Sequence, residues 1–384
     1  MAFLLSADNG ENMIEIKEVS SKKDIKEFIQ FPKRLYKGNP YYVPVLDMDE
    51  KKIFKKDYAY NSTCDVVFYL AVKDGETVGR ISGIIQNASN EKWGQKRVRF
   101  TRFDAVNDQE VANALFDKVV AWAKDKGMTE IVGPLGYSDL EREGLLIEGF
   151  DQLSTYEEQY NYDYYQKLIE NYGFSKEVDW WEHKLLSPTD DIDKVERISN
   201  MMLKKYNLTF TQPKSIKEFL NVYVKEFFEI IDTTYSRIYG TVPFTDEMRE
   251  MMISNFKLLA RAKDICVILN AEKRIVGFSI MFPSIAAAVN KSKGKLTLPF
   301  IFRILKIKHR AKVMDLGLIG VLPEYESRGV ASIMIAGLAR FMQKEKLEHI
   351  ETNLILEENA HSMNQMKHFN KILHKKRRCF IKNI

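Results

Sequence analysis

The chain has 384 residues, 45% of them hydrophobic and 29% charged, so it is long enough for two or three globular domains and too apolar to be disordered. Its net charge of +5 argues against a dedicated nucleic-acid binder but permits an anionic ligand or an anionic membrane surface. The three cysteines are isolated and the six histidines form no metal-binding pattern, so we expect reduced thiols in a cytoplasmic protein and no metal. No apolar stretch approaches the roughly 20 residues that span a bilayer.

The predicted elements run along the chain as two copies of one pattern. After a loose leader over residues 1–12, each half has a hairpin, an amphipathic helix and a short strand, and a Pro-containing polar break near 187–190 separates the halves. The predicted elements are strands 66–72 and 78–85, helix 108–126 and strand 130–132, then strands 265–269, 275–282 and 313–321, helix 329–345 and strand 350–355.

The two long helices also match residue by residue. Val111 aligns with Val330 and Ala112 with Ala331, and both hairpin return strands open with the dipeptide Val-Gly, at Gly79 in the first half. This self-similarity indicates an internal duplication. It predicts an α/β fold of two tandem domains, residues 13–187 and 188–384, each a mixed α+β sheet with flanking helices.

The strand–turn–helix junction at residues 321–332 has the composition of an anion-binding loop. Backbone N–H groups and the positive end of the helix dipole meet at such a turn, and Gly329 and Ala331 would let a phosphate approach the backbone. Arg328 adds a cation. The alternative is an ordinary strand-to-helix turn. The first half has no glycine at its corresponding turn, where Asp108 is expected to cap the helix, so we expect one donor site per chain.

The turn sequence Val-x-Pro-Glu-Tyr, followed by Arg-Gly-x-Ala, resembles the acyl-CoA pyrophosphate loop of the GNAT superfamily of N-acyltransferases. Glu326 departs from the pattern, because that family usually has Gln or Arg there. Motifs at 31–44, 133–138 and 144–151 are similar to a bacterial group of uncharacterised two-domain GNAT-like proteins, some of which are associated with sphingolipid formation. The similarity covers roughly residues 13–384 and implies two tandem GNAT-like domains.

This resemblance implies acyl transfer from acetyl-CoA or a longer acyl-CoA to an amine, either a small molecule or a lipidic long-chain amine. The strand at 313–321 would separate from its neighbour and hydrogen-bond the donor's pantetheine arm. Asp315 is the candidate base that deprotonates the amine, or alternatively a strand-end residue with a structural role. No tyrosine lies in the helix predicted for 359–369, so the general acid is not assigned. The residues expected to bind the donor are Leu318, Ile319, Val321, Ser327, Arg328, Gly329, Val330, Ala331 and Asn359.

Two further segments are candidates for binding the acceptor. The tyrosine-rich segment 156–165 and the pair Trp180-Trp181 either line a pocket between the halves or pack in the core. The acidic loop 139–143 either attracts a cationic amine or is a solvated run of charge.

Segment 299–312 predicts a basic amphipathic helix. Its helical spacing places Arg303, Lys306 and Arg310 on one face, with Ile301, Ile304 and Leu305 opposite. Such a helix either contacts the inner membrane surface peripherally or covers the sheet with its basic face in solvent.

Two other functions remain open from the sequence. Glu326 and the missing tyrosine are compatible with a non-catalytic CoA-binding or scaffold protein. Transfer of an amino acid from charged tRNA would need a strongly basic channel, which a net charge of +5 does not indicate, so no nucleic-acid partner is expected.

Overall fold

The computed structural model describes residues 13–187, 192–359 and 369–384. The predicted leader 1–12 and most of the predicted break between the halves lie outside these residues, so the domain boundary stays a prediction. The predicted α/β class is confirmed, since helices flank a mixed sheet that runs through both halves of the chain.

In the first half, the strands are β1 (Glu15–Glu18), β2 (Cys64–Lys73), β3 (Glu76–Gln86), β4 (Arg97–Ala105), β5 (Glu130–Gly133), β6 (Leu145–Glu148) and β7 (Ser175–Leu186). The helices are α1 (Lys22–Leu35), α2 (Asp47–Glu50), α3 (Asn87–Trp93), α4 (Gln109–Asp125) and α5 (Tyr164–Asn171). A 3-10 turn covers Lys52–Phe54.

In the second half, the strands are β8 (Thr209–Thr211), β9 (Ile265–Leu269), β10 (Ile275–Pro283), β11 (Val313–Val321), β12 (His349–Glu351), β13 (Ile355–Leu356) and β14 (Asn370–Asn383). The helices are α6 (Ile192–Lys205), α7 (Ile216–Glu218), α8 (Val224–Thr234), α9 (Asp246–Leu259), α10 (Ala286–Ser292), α11 (Leu298–His309), α12 (Pro323–Glu326) and α13 (Val330–Glu345). A π-helical turn covers Phe219–Tyr223 and a 3-10 turn covers Ala262–Asp264. No helix in the described ranges combines the length and the apolar character needed to cross a bilayer.

The duplication is visible in the strand pairing. In the first half β3 pairs antiparallel with β2 and β4, and β4 pairs parallel with β5 across the helix α4. In the second half β10, β9, β11, β12 and α13 repeat this arrangement. The hairpin, helix and strand order predicted from the sequence is therefore present twice.

A shared glycine–valine contact explains why both return strands open with Val-Gly. A Cβ atom added to Gly79 would lie 3.0 Å from Val111 Cγ1, and one added to Gly277 would lie 2.7 Å from Val330 Cγ1. Both valines are buried in the first turn of the helix that packs on the sheet. The glycines are needed because the helix approaches the strand too closely for any side chain.

We expect Gly277→Ala to destabilise the protein by about 1–3 kcal/mol, because the added methyl group overpacks this contact. Combining it with Val330→Ala should cost less than the sum of the two single changes, because the second change makes room for the first. Urea unfolding of the wild type, both single variants and the double variant measures the coupling. Additive losses would show that the two residues do not form the contact.

The last strand of each half is exchanged between the halves. The sheet order is β1-β2-β3-β4-β5-β14-β7-β12-β11-β10-β9-β8. Thus β14, from the end of the chain, lies beside β5 of the first half, and β7, from the first half, lies beside β12 of the second. The two exchanged strands pair with each other from Asn370↔Leu186 to Ile381↔Ser175. This pairing joins the two sheets at the centre of the molecule.

Candidate functional site

The strands β11 and β12 separate soon after they begin to pair. Their parallel pairing covers only Val313–Asp315, with Asp315 opposite Glu351. The chain then leaves β12 and enters β13, which pairs with β7 instead. The side-chain amide of Asn353 bridges the gap by donating a 2.6 Å hydrogen bond to the carbonyl of Gly317. The result is a wedge in the sheet along the second part of β11, as expected for the donor strand.

Asp315 lies where this wedge opens. Its side chain is buried, with 8% of the residue exposed, and its Oδ1 atom has no hydrogen-bond partner in the described part of the chain. Burial raises the pKa of Asp315 to about 7, and the negative charge of Glu351 adds to the effect, while the Ser284 side chain and Lys375 act against it. A carboxyl group with this pKa exchanges a proton readily near neutral pH, which is what a general base requires.

A cluster of buried charges surrounds this carboxyl group. Glu351 lies 3.0 Å from His349 Nε2 and 2.8 Å from His374 Nε2. Although burial opposes it, contact with the two imidazoles holds the pKa of Glu351 well below its usual range. Lys375 Nζ lies 2.7 Å from Glu182 Oε2 and 3.9 Å from Glu351 Oε2. Glu351 therefore stays ionised beside Asp315 and keeps that neighbouring pKa high.

The cluster continues into the exchanged strands. Arg377 Nε lies 2.6 Å from Glu182 Oε1, and both side chains are fully buried. The guanidinium group of Arg377 also donates to the carbonyl of Gln159 in the first half. Asp315 in the second half therefore lies beside a charge network that contains residues of both β7 and β14.

Sequence reasoning missed this network. It singled out Asp315 but not Glu182, Glu351, His374 or Lys375. The available signal was the presence of ionisable residues within strands whose neighbours are apolar, as in His349-Ile-Glu351. The exchange of β7 and β14 determines which charged residues become neighbours. No local sequence pattern predicts that exchange.

A cavity of about 580 Å³ lies beside the cluster. It is lined by Glu148, Gly149, Asp151, Gln152, Lys184 and residues 372–376. His374 and Lys375 belong both to its wall and to the charge cluster, so a polar group in the cavity would be close to Glu351.

The predicted anion-binding turn has the expected strand–turn–helix form, with the short helix α12 inserted in it. Gly329 has a φ of 73° and is the N-cap of α13, whose first N–H groups have no partner within the helix. Ser327 is exposed, and the Arg328 guanidinium lies 4.5 Å above the Tyr325 ring. A Cβ atom on Gly329 would lie 2.6 Å from Met202 Cγ. Close packing of α6, as well as backbone conformation, therefore requires glycine here.

The other residues predicted to contact the donor have different surroundings. The backbone of Ile319 is bonded twice to Tyr235: its N–H donates to the hydroxyl at 3.2 Å, and its carbonyl accepts from it at 2.9 Å. Leu318 packs in an apolar core and Val330 is buried. Val321 and Ala331 are partly buried. The backbone N–H of Asn359 donates to the carbonyl of Leu356. Residues 360–368 of the predicted last helix lie outside the described ranges.

Much of the tyrosine-rich segment packs in the core of the first half. Tyr160 and Tyr165 belong to the main core of the first half, with Tyr36 against them. Trp180 is buried and contacts Tyr239 edge to face. The packing interpretation of these aromatic residues is therefore the one that the structure supports.

The wedge between β4 and β5 in the first half is filled. Its pairing also ends after three residue pairs, but Arg99 occupies the position that Asp315 has in the second half. The Arg99 guanidinium donates to Ser89 Oγ at 2.8 Å and to the carbonyls of Gly136 and Gly240 at 3.2 and 3.0 Å. Asp108 caps α4 by accepting from the N–H of Glu110, as predicted. The candidate site therefore lies in the second half, and Arg99 fills the corresponding position in the first.

Comparisons with known proteins agree with this architecture. No family model matches the chain. Protein YghO of Escherichia coli (strain K12) is 27% identical over 382 residues, which cover 95% of this chain and 94% of that protein. Bacterial ceramide synthase of Caulobacter vibrioides (strain NA1000 / CB15N) is 25% identical over 322 residues, which cover 80% of each chain.

Two solved structures are similar at lower sequence identity. A tandem GNAT protein from the clavulanic acid biosynthesis pathway is 11% identical, with a TM-score of 0.54 over 97% of this chain and 98% of its own. A GCN5-related glucosamine N-acetyltransferase region in a fungal multi-domain β-N-acetylglucosaminidase is also 11% identical, with a TM-score of 0.56 over 97% of this chain and 38% of that one. The chain therefore has the fold of the tandem GNAT proteins.

Proposed function

We propose that the chain is an N-acyltransferase that moves an acyl group from an acyl-CoA thioester to an amine. The observation that supports this most is the buried carboxyl of Asp315 at the opening of the β11–β12 wedge. One of its oxygens has no hydrogen-bond partner among the described residues, and its pKa is raised to about 7. An amine acceptor arrives as an ammonium ion and must lose a proton before it can attack a thioester.

In the proposed chemical step, the carboxylate of Asp315 is the base. Asp315 takes a proton from the ammonium group, and the free amine attacks the thioester carbonyl to give a tetrahedral intermediate. A backbone N–H group along the wedge would stabilise its oxyanion, and the N–H of Ile319 would serve only after the Tyr235 hydroxyl, to which it donates, has moved away. Collapse of the intermediate breaks the C–S bond, and the excess proton on the nitrogen passes to the departing thiolate, which gives the amide and free CoA. Asp315 returns its proton to solvent.

The acyl donor would lie along β11 with its pyrophosphate at the start of α13. The amine acceptor would come from the side of the charge cluster and the cavity at 372–376. The relative from Caulobacter is named a ceramide synthase, and a ceramide is an N-acylated long-chain amine. That name supports a lipidic amine as the acceptor of this chain too.

Donor binding should occur once per chain, in the second half. We expect calorimetry with acetyl-, octanoyl- and palmitoyl-CoA to give a stoichiometry near one. Ser327→Glu should weaken binding at least tenfold, on the order of 1.4 kcal/mol, because it places a carboxylate beside the pyrophosphate. Asn107→Glu, at the corresponding exposed turn of the first half, is the matched control and should change nothing. A stoichiometry near two, or equal losses in both variants, would contradict a single site at α13.

A second candidate function is acyl-CoA binding without turnover. One contact favours it: the Tyr235 hydroxyl occupies both backbone groups of Ile319, so the N–H of this residue is not free to polarise a thioester carbonyl. Tight CoA binding with no amide formed from any long-chain or short-chain amine would favour this function over catalysis.

A further inference from the structure

The helix α11 has an outer apolar face that covers no part of the protein within the described ranges. Four side chains lie within about 100° of its circumference, at the 100° per residue of an α-helix. They are Leu298, Ile301, Phe302 and Leu305, which are 73%, 47%, 70% and 58% exposed, and Leu296 just before the helix is 56% exposed. Large apolar residues this close together on a surface mark a place where something binds.

The inner face of α11 packs against the protein. Phe300 is buried, and Ile304 and Ile307 pack beside it against Val289 and its neighbours. The sequence prediction placed Ile301, Ile304 and Leu305 opposite the basic face; of these, Ile304 packs against the protein, whereas Ile301 and Leu305 are exposed. The helix therefore has both an apolar face that anchors it and a second one that faces outward.

The segment that carries the outer face is strongly basic. Residues 284–312 contain eight Lys and Arg residues and no Asp or Glu, although the net charge of the whole chain is only +5. Arg303, Lys306 and Arg310 are exposed, and no carboxylate in the described ranges forms an ion pair with them. The rest of the chain is thus net negative, and this segment holds the excess of cations.

We propose that the outer face of α11 docks on an anionic lipid bilayer. An apolar stripe flanked by cations is the arrangement of a helix that lies in the membrane interface, with apolar side chains among the acyl chains and cations at the headgroups. An acidic protein partner would complement the charge but leaves Phe302 and Leu305 without a reason to be apolar. The bilayer accounts for both features.

The position of α11 next to β11 indicates what membrane docking would do for the proposed function. Three residues, Arg310 to Lys312, join the helix to β11, and Asp315 follows on that strand. A docked helix would hold the β11–β12 wedge near the membrane surface, where long-chain amines and long acyl chains concentrate. This use depends on the proposed function, whereas vesicle binding can be tested without any assay of activity.

The test is co-sedimentation of the full chain with vesicles of phosphatidylglycerol and phosphatidylcholine in equal parts, with pure phosphatidylcholine vesicles as reference. We expect binding to the anionic vesicles that weakens as salt rises. Phe302→Ser with Leu305→Ser should reduce the partition coefficient at least tenfold. Arg303, Lys306 and Arg310→Gln should reduce it about fivefold per charge.

Matched controls change equally exposed residues elsewhere. Met201 and Val222→Ser remove two apolar side chains that are 54% and 60% exposed, and Lys51, Lys55 and Lys56→Gln remove three exposed cations. Both controls should bind as the wild type does. Equal partitioning of the Phe302/Leu305 variant and the wild type would overturn the proposal, as would equal losses in the controls. Sedimentation velocity without vesicles tests another occupant, since a dimer that this variant converts to monomer would assign the face to a second copy of the chain.

Discussion

Asp315→Asn should lower the rate of amide formation by about 10²- to 10⁴-fold and leave the affinity for acyl-CoA unchanged. The amide keeps the shape of the carboxylate but cannot accept the proton of the ammonium group. Initial rates of CoA release at saturating donor, together with calorimetric titration of the same variant, separate the two effects. A variant that turns over at the wild-type rate would reassign Asp315 to a structural role.

The pH dependence provides an independent check on the same residue. Because the pKa of Asp315 is about 7, its base form is scarce at pH 5 and dominant at pH 8, so kcat/KM of the wild type should rise through pH 7 and then level off. Asp315→Asn should lose this limb. Survival of the limb in the variant would assign the ionisation to another group.

The contribution of Asp315 to the free energy of unfolding should fall as the pH rises, whereas kcat/KM should rise. The folded state holds the Asp315 proton up to about pH 7, whereas the unfolded chain releases it near the ordinary value of 3.8, so the folded state binds more protons between those values. The contribution of Asp315 to stability is therefore lost as pH rises from about 4 to 7. The fall in unfolding free energy between pH 5 and pH 8 should therefore be smaller in Asp315→Asn than in the wild type, and urea unfolding at the two pH values measures this difference.

Glu182→Gln should destabilise the protein by about 3–5 kcal/mol. Glu182 is fully buried between two cations, Lys375 and Arg377, and removing its charge leaves Lys375 without its nearest counter-ion. The two cations lie on β14 and Glu182 lies on β7, so the change acts on the pairing that joins the two halves. Urea unfolding followed by circular dichroism gives the free-energy difference.

Asp179→Asn is the matched control on the opposite face of the same strand. Both carboxylate oxygens of Asp179 accept hydrogen bonds from Arg378, at 2.8 and 2.9 Å, but that arginine is 22% exposed. Water can replace part of the lost contact, so we expect a smaller loss, about 1 kcal/mol. Equal losses of unfolding free energy in the two variants would show that the buried cluster contributes no more to joining the halves than the partly exposed ion pair does.

The repeated part of the fold could be predicted from the sequence because its signals are local. Helical spacing of apolar residues gives α4 and α13, and the Val-Gly pairs mark the positions where those helices cross the hairpins. The Asp108 cap could also be predicted, since the N-cap preference depends on a few adjacent residues.

The joining of the halves could not be predicted in the same way. Alternation along β7 and β14 gives each strand its buried and exposed faces, but it carries no information on which strand lies beside it. The charge cluster around Asp315 depends on that choice, because His374 and Lys375 approach Glu351 only once β14 has crossed to the centre of the sheet. Gly329 is similar, since its contact with Met202 depends on where α6 packs.

The helix α11 illustrates the same limit of prediction from local sequence. Apolar spacing correctly gave the helix α11, but the sequence could not separate the residues that anchor it from those that face outward. Ile304 and Leu305 are adjacent and equally apolar, and only packing against Val289 distinguishes them.

Acyl transfer is tested most directly by mass spectrometry of the products formed by the full chain from palmitoyl-CoA and a saturated long-chain amine such as hexadecylamine. We predict that the amide and free CoA appear in equal amounts, and that Asp315→Asn forms both at least a hundredfold more slowly. Loss of the thioester without any amide, or amide formation that the Asn variant retains at the wild-type rate, would contradict an N-acyltransferase that uses Asp315 as its base.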